Sequence, residues 1–147
     1  MSGTSDRHTE ILNGYKKGGS RFNEWAEKHL GVFRLTHWEW GKLSMVWEID
    51  DRFVMPDGVM FGGHVASVAD HVAGLAAMTV LEAEDDRFRT SRLETTFFRP
   101  IMKPTATIEA RVVNASKSLI HVEADFLTPE GKLAVRANAV QMKRKEG

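Results

Sequence analysis

The stretch 64–81 constrains this chain more than any other. It is apolar nearly throughout, yet it holds Asp70 and two histidines, His64 and His71, among valines and alanines. A membrane span needs about 20 predominantly apolar residues and tolerates charge poorly, so the segment reads as a buried helix. It begins just after Gly62-Gly63 and ends near the acidic run 82–86. A helix that is apolar almost all round has to be enclosed by other elements.

The enclosing elements are legible as a change of period. From Val32 apolar residues recur at every second position, and Leu43, Met45, Trp47 and Ile49 alternate with Ser44 and Glu48. That is a strand with one buried face. Gly41-Lys42 suggests a hairpin, and Met55-Pro56-Asp57-Gly58 punctuates a loop over 50–58. After the helix only strands are expected, at 90–98, 106–113, 119–126 and 133–142. In the third, Ile120, Val122, Ala124 and Phe126 face opposite to His121, Glu123 and Asp125. About six antiparallel strands, each apolar on one face, curl naturally around the long helix, which gives an α+β fold. Upstream, Ser20 is placed to cap a short helix reaching about Leu30, with Phe22, Trp25, Ala26 and Leu30 as its apolar stripe and Gly31 as its end. Residues 1–19 show no periodicity and are expected to be a frayed, flexible start with a short helical turn around 11–15. At 147 residues with no linker-like stretch, the whole of 1–147 is expected to be one domain.

Composition narrows the function classes. Twenty basic residues balance twenty acidic ones, so no overall field attracts nucleic acid or an anionic membrane. The short run Lys143-Arg144-Lys145 reads as a solvated tail. The chain has no cysteine, which excludes disulfides, thiolate metal sites and cysteine nucleophiles and accords with a reducing compartment, so a cytoplasmic location is expected. The polar residues 1–10 lack the apolar core of a secretory signal. Trp25, Trp38, Trp40 and Trp47 sit at helix and strand spacing, which favours core or subunit packing over an aromatic ligand pocket.

Asp70 carries the chemical signal. A carboxylate on an apolar buried helix must be hydrogen-bonded or functional. Gly62 and Gly63, at the start of the same helix, expose backbone N–H groups at the positive end of its dipole, a setting for an oxygen that acquires negative charge. The eight residues from Gly62 to Asp70 span about 12 Å along a helix at about 1.5 Å per residue, too far for both to act on one carbonyl from one straight helix. His64 and His71 share a helix face, but zinc needs a further convergent ligand, so no metal is expected. Ser67 lacks the G-x-S-x-G turn of a serine nucleophile.

The stretch Met55-Pro-Asp-Gly-Val-Met-Phe-Gly-Gly-His-Val-Ala-Ser-Val-Ala-Asp70 resembles the signature of the hotdog-fold acyl-CoA thioesterases, in particular their phenylacetate-degradation and 4-hydroxybenzoyl-CoA branches. There a loop glycine precedes His-Gly-Gly, and an acid follows seven residues after the second glycine. Gly58, Gly62, Gly63 and Asp70 occupy those places, Arg99-Pro100 closes the strand after the helix, and the order of elements matches from about residue 20. The resemblance implies an α+β hotdog fold and hydrolysis of an aryl- or medium/long-chain acyl-CoA thioester. Asp70 would be general base or nucleophile, and the Gly62 N–H the oxyanion donor. It also implies a homodimer, possible as a dimer of dimers, in which the carboxylate of one subunit meets the glycine turn of the other. Thr90, ten residues before Pro100, stands where a related branch has a serine that helps hold the carboxylate or the water. Met55, Phe61 and Gly63 would border the substrate, and Arg99, Lys103 and Lys117 are candidates for the coenzyme A phosphates. No cofactor is implied beyond coenzyme A as part of the substrate.

Two positions depart from the pattern. Phe61 replaces the family's histidine, and Met55 replaces an asparagine six residues earlier. Both replacements are apolar, which points to a pocket for a bulky or aromatic acyl group, a slow enzyme, or a protein that binds acyl-CoA without hydrolysing it. A hotdog hydratase is the remaining rival. It would need a paired acid and histidine, whereas Asp70 and His71 are adjacent and point about 100° apart on a helix.

Overall fold

A computed structural model describes residues 3–145 of the chain. In order come α1 (Asp6–Lys17), α2 (Arg21–His29), β1 (Val32–Glu39), β2 (Lys42–Glu48), a single 3-10 turn (Asp51–Phe53), α3 (Gly62–Met78), β3 (Asp86–Phe97), β4 (Thr105–Ala115), β5 (Leu119–Leu127) and β6 (Leu133–Lys145). The six strands form one antiparallel sheet in the order β1-β2-β4-β5-β6-β3. α3 packs against β3, β4, β5 and β6. This is the α+β arrangement that the alternation and the long apolar helix imply, and the hotdog fold that the resemblance implies.

The core is where the two periods meet. Val65, Val68, Ala69, Val72, Leu75 and Ala76 on α3 press into Leu43, Met45 and Trp47 of β2, Ile108 of β4, Ile120 and Phe126 of β5 and Val135 of β6, all of them buried. The small alanines let helix and sheet approach closely. Gly41, at φ 77°, turns the β1–β2 hairpin, where a side chain would be strained.

Three expectations change. The amino-terminal segment holds a full helix, α1, in place of a frayed start with a turn at 11–15; residues 1 and 2 of that expected segment lie outside the described residues. Ser5 caps α1, its N–H donates to the Leu81 carbonyl at 2.8 Å, and the Asp6 and Arg7 N–H groups donate to the Glu84 carboxylate. Its buried residues, His8, Leu12 and Tyr15, do fall at helical spacing, but a polar histidine opens the series and conceals it. The basic run 143–145 belongs to β6, paired with Asp86, Arg87 and Phe88, and is not a tail. On α2 the expected stripe splits: Ala26 and Leu30 are buried while Phe22 and Trp25 stay exposed. Of the other tryptophans, Trp47 is core, Trp38 is half-buried with its Nε1–H donating to Asn13, and Trp40 is exposed.

Candidate functional site

α3 treats its two ends differently. At the carboxyl end the Thr79 hydroxyl donates to the Ala76 carbonyl, the Gly41 N–H donates to that hydroxyl, and Thr4 donates to the Thr79 carbonyl. At the amino end the N-cap residue is Phe61, which makes no side-chain cap hydrogen bond. His64 and Val65 N–H groups both donate to the Phe61 carbonyl, and among the described residues the Gly62 and Gly63 N–H groups have no acceptor. A helix leaves its first N–H groups unpaired unless a cap supplies partners. Two phenylalanine rings flank this turn. A β-carbon on Gly62 would lie 3.6 Å from the Phe97 ring, and one on Gly63 would come within 2.8 Å of the Phe61 ring. The turn opens into a groove of about 350 Å³ bordered by Met55, Phe97, Phe98 and Arg99. Phe61, 56% exposed, stands beside it.

Asp70 lies two turns further along α3 and is exposed in the single chain, which corrects the expectation of a buried carboxylate. The apolar stripe of α3 does not close round the helix: Ser67 and Asp70 are exposed, Asp70 beside the start of β3. The Thr90 hydroxyl donates to Asp70 Oδ1 at 2.6 Å, so the structure brings together these two sequence candidates. Both line a cleft of about 570 Å³ between α2, α3 and the start of β3, walled by Phe22, Trp25, His71 and Phe88. Gly74, one turn beyond Asp70, also lines this cleft.

His71 closes the inner wall. Its Nε2 is 2.9 Å from the Tyr15 hydroxyl, and its ring lies among those of Tyr15, Trp25 and Phe33. Burial pulls its pKa down to about 4, against a smaller opposing pull from the Asp70 charge. Burial likewise pushes the Tyr15 phenol upward. The pair is therefore uncharged at neutral pH. His64 is held separately: its Nε2 donates to the Leu30 carbonyl at 2.6 Å, and its ring stacks on Phe53. Among the described residues no group of three or more His, Cys, Asp or Glu side chains is placed to hold a metal ion. Ser67 donates to the Gly63 carbonyl.

The remaining candidates are dispersed. Arg99 borders both the glycine-turn groove and a separate cleft of about 410 Å³, and donates to the Leu133 carbonyl. Lys103 lines that second cleft and pairs with Asp51. Lys132, which the sequence did not single out, lies opposite. Lys117 sits apart in the β4–β5 turn, bordering none of the three clefts. Sequence reasoning also missed Gln141, whose side chain meets Thr90 beneath the cleft. Its signal was present, since Val135, Ala137, Ala139 and Gln141 form the inward series of β6. No helix of the described residues is long and apolar enough to cross a membrane.

Comparison with known proteins bears on the family and the fold. Residues 57–135, from the glycine loop into β6, match the family described as the thioesterase superfamily. A protein of Saccharolobus solfataricus that bears a provisional esterase name is 37% identical over 87 residues, which are 59% of this chain and 61% of that one. The chain thus spans about three-fifths of the length of that curated relative. A thioesterase crystal structure from Haemophilus influenzae superposes with a TM-score of 0.75 at 21% identity, covering 89% of this chain and 94% of the other. A hypothetical thioesterase of Streptococcus pneumoniae, solved with coenzyme A, gives 0.77 at 13% identity, covering 85% and 95%. At such identities these two likenesses are of fold.

Proposed function

The chain belongs to the thioesterase superfamily, and from that premise we propose that it hydrolyses an acyl-CoA thioester, with Asp70 as general base or nucleophile and the Gly62 N–H as oxyanion donor. The observation that carries this reading is Asp70 itself, an accessible carboxylate held by one hydroxyl donor at the mouth of an aromatic-walled cleft. Its free oxygen has access to a water or to a thioester carbon. The unpaired N–H groups at Gly62 and Gly63 belong to a turn beside the Phe61 and Phe97 rings, at the positive end of the α3 dipole, which suits a developing oxyanion.

One subunit holds these two parts too far apart, so the reading requires two composite sites in a homodimer. β3 supports it: among the described residues it pairs with β6 alone and is an edge strand of twelve residues, the kind of edge that a second copy completes. Phe61, Phe97 and Phe98 add exposed apolar surface near the end of that strand. The coenzyme A bound to the Streptococcus pneumoniae relative supports the same ligand here, with Arg99 and Lys103 as the nearer phosphate partners and Lys117 the more distant. The aromatic cleft favours an aryl or other bulky acyl group over a short one. A cysteine-free chain accords with the cytoplasm.

A second reading, an acyl-CoA binder without turnover, draws on Phe61 and Met55, whose apolar side chains border the turn where the family has polar ones. Thiol release from a panel of aryl- and fatty acyl-CoAs separates the two. Hydrolysis by the wild type and a loss of about a thousandfold in kcat for Asp70→Asn, within the range for losing a positioned base, supports the enzyme. Tight coenzyme A ester binding with no thiol release selects the binder, and an Asp70→Asn variant as fast as wild type removes Asp70 from the mechanism.

A further inference from the structure

Beneath Asp70 the sheet holds a polar side chain that neither core packing nor the reaction above explains. Gln141 is wholly buried, 0% exposed, on the inward face of β6, among alanines and branched aliphatic residues. Among the described residues its Nε2 has no hydrogen-bond partner. A buried amide with an unsatisfied N–H is costly, and an aliphatic residue of the same length fills the space without that cost. Among the described residues the one polar group that it meets is Thr90 Oγ1, 3.1 Å from its Oε1.

The register makes this contact. Thr90 and Gln141 are cross-strand partners on the β3–β6 ladder, so their side chains share a face, and the ladder shifts between Thr90 and Arg92 immediately afterwards. Thr90 is thus a bridge between a buried amide and an exposed carboxylate. Its hydroxyl has one hydrogen but faces two acceptors, Asp70 Oδ1 at 2.6 Å and Gln141 Oε1 at 3.1 Å. The amide oxygen and nitrogen have nearly the same shape, and the hydrogen count decides between them. With the amide turned by 180°, Nε2–H donates to Thr90 Oγ1, and the hydroxyl hydrogen is committed to Asp70. The orphan atom is then a carbonyl oxygen, which tolerates lack of a partner better than an N–H does.

We propose that Gln141 is a positioning residue for the reaction: its amide donates to the Thr90 hydroxyl and so obliges that hydroxyl to donate to Asp70, holding the carboxylate in one rotamer with its second oxygen facing the cleft. This rests on the reading of Asp70 as the working carboxylate. A donor that itself accepts a hydrogen bond is the stronger donor, and a carboxylate held in one rotamer loses less orientation in the transition state. Gln141 itself lies in the core, out of reach of substrate, and acts only through Thr90.

Gln141→Met keeps length and volume while removing the donor. Expected are a fall in kcat of about tenfold with KM within twofold, a loss at least as large in Thr90→Val, which also removes the direct bond to Asp70, and no further loss when Gln141→Met is added to Thr90→Val. Thr90→Ser, which keeps the hydroxyl, restores most of the rate. A Gln141→Met enzyme with wild-type kcat, or losses that multiply in the double variant, overturns the proposal. A second arm needs neither turnover nor a folded Gln141 variant. The side-chain amide resonances of Gln141 in the intact protein should include one proton shifted by its bond to Thr90, and Thr90→Val should abolish that shift. Amide signals indifferent to Thr90→Val overturn the proposal even if the rates agree. Failure of the wild type to hydrolyse any acyl-CoA removes the enzyme reading, and the amide signals still decide whether Gln141 donates to Thr90.

Discussion

The outer face of the sheet and the cleft beside α3 each hold a polar cluster built around an aspartate, and the two are finished differently. On the outer face Asp125 takes two hydrogen bonds from Arg136, at 2.7 and 3.1 Å, with Arg111 beside it and Glu123 pairing to Arg111 in turn. These charges sit on neighbouring strands β4, β5 and β6, opposite one another in register. Arg136 holds the Asp125 carboxyl well below the usual range. In the cleft Asp70 has, among the described residues, a single donor, Thr90, backed by an amide with an unused hydrogen-bonding atom. A cluster that stabilises satisfies its own groups, whereas a cluster left open toward a cavity keeps capacity for something that arrives.

The comparison breaks or sharpens on variants of the two aspartates. Asp70→Asn should leave the melting temperature nearly unchanged, because the side chain is exposed, while turnover falls about a thousandfold. Asp125→Asn should leave kcat and KM alone and lower stability by about 1 to 2 kcal/mol, from weakened bonds to two guanidinium groups. Chemical denaturation and thiol release on both variants check this. An Asp125 variant that lost activity, or an Asp70 variant that unfolded, would erase the distinction.

The cleft wall titrates, and the sign follows from His71. Its pKa is near 6.5 in the unfolded chain and about 4 in the fold, so between those values the unfolded state binds the extra proton. Stability is fully present above about pH 6.5 and declines as the pH falls toward 4, by on the order of 3 kcal/mol from this residue. His8 and His64 are also pulled down, chiefly by burial, and add to the same slope. Denaturant melts at several pH values should therefore show an acid decline that is shallower in His71→Gln. An unchanged slope would mean that His71 is open to water.

The smallest effect is expected at Gly74. A β-carbon there would meet the Phe88 ring at 3.5 Å, an ordinary contact, so Gly74→Ala should stabilise α3 by about 0.5 to 1 kcal/mol. It would also narrow the cleft. Under the thioesterase reading KM should rise for bulky acyl groups more than for short ones, and a uniform change would place the acyl group elsewhere.

Much of this was written locally. The inward series Leu43, Met45 and Trp47, the glycine pair, and the seven-residue interval from Gly63 to Asp70 are short-range patterns whose period or spacing carries its own structural meaning. By themselves they determined a long central helix, a one-faced antiparallel sheet, and an acid on the same helix as a glycine turn. Tertiary structure decided the rest. Helical periodicity says which residues share a face but not which face is covered, so Asp70 reads as buried, whereas the structure leaves it exposed. His8 broke the series that would have revealed α1. The contact between Thr90 and Gln141 joins residues 51 positions apart. It exists because β6 crosses from β5 to β3 and sets the two side by side, a pairing that depends on register between distant strands and on no neighbouring residue in either.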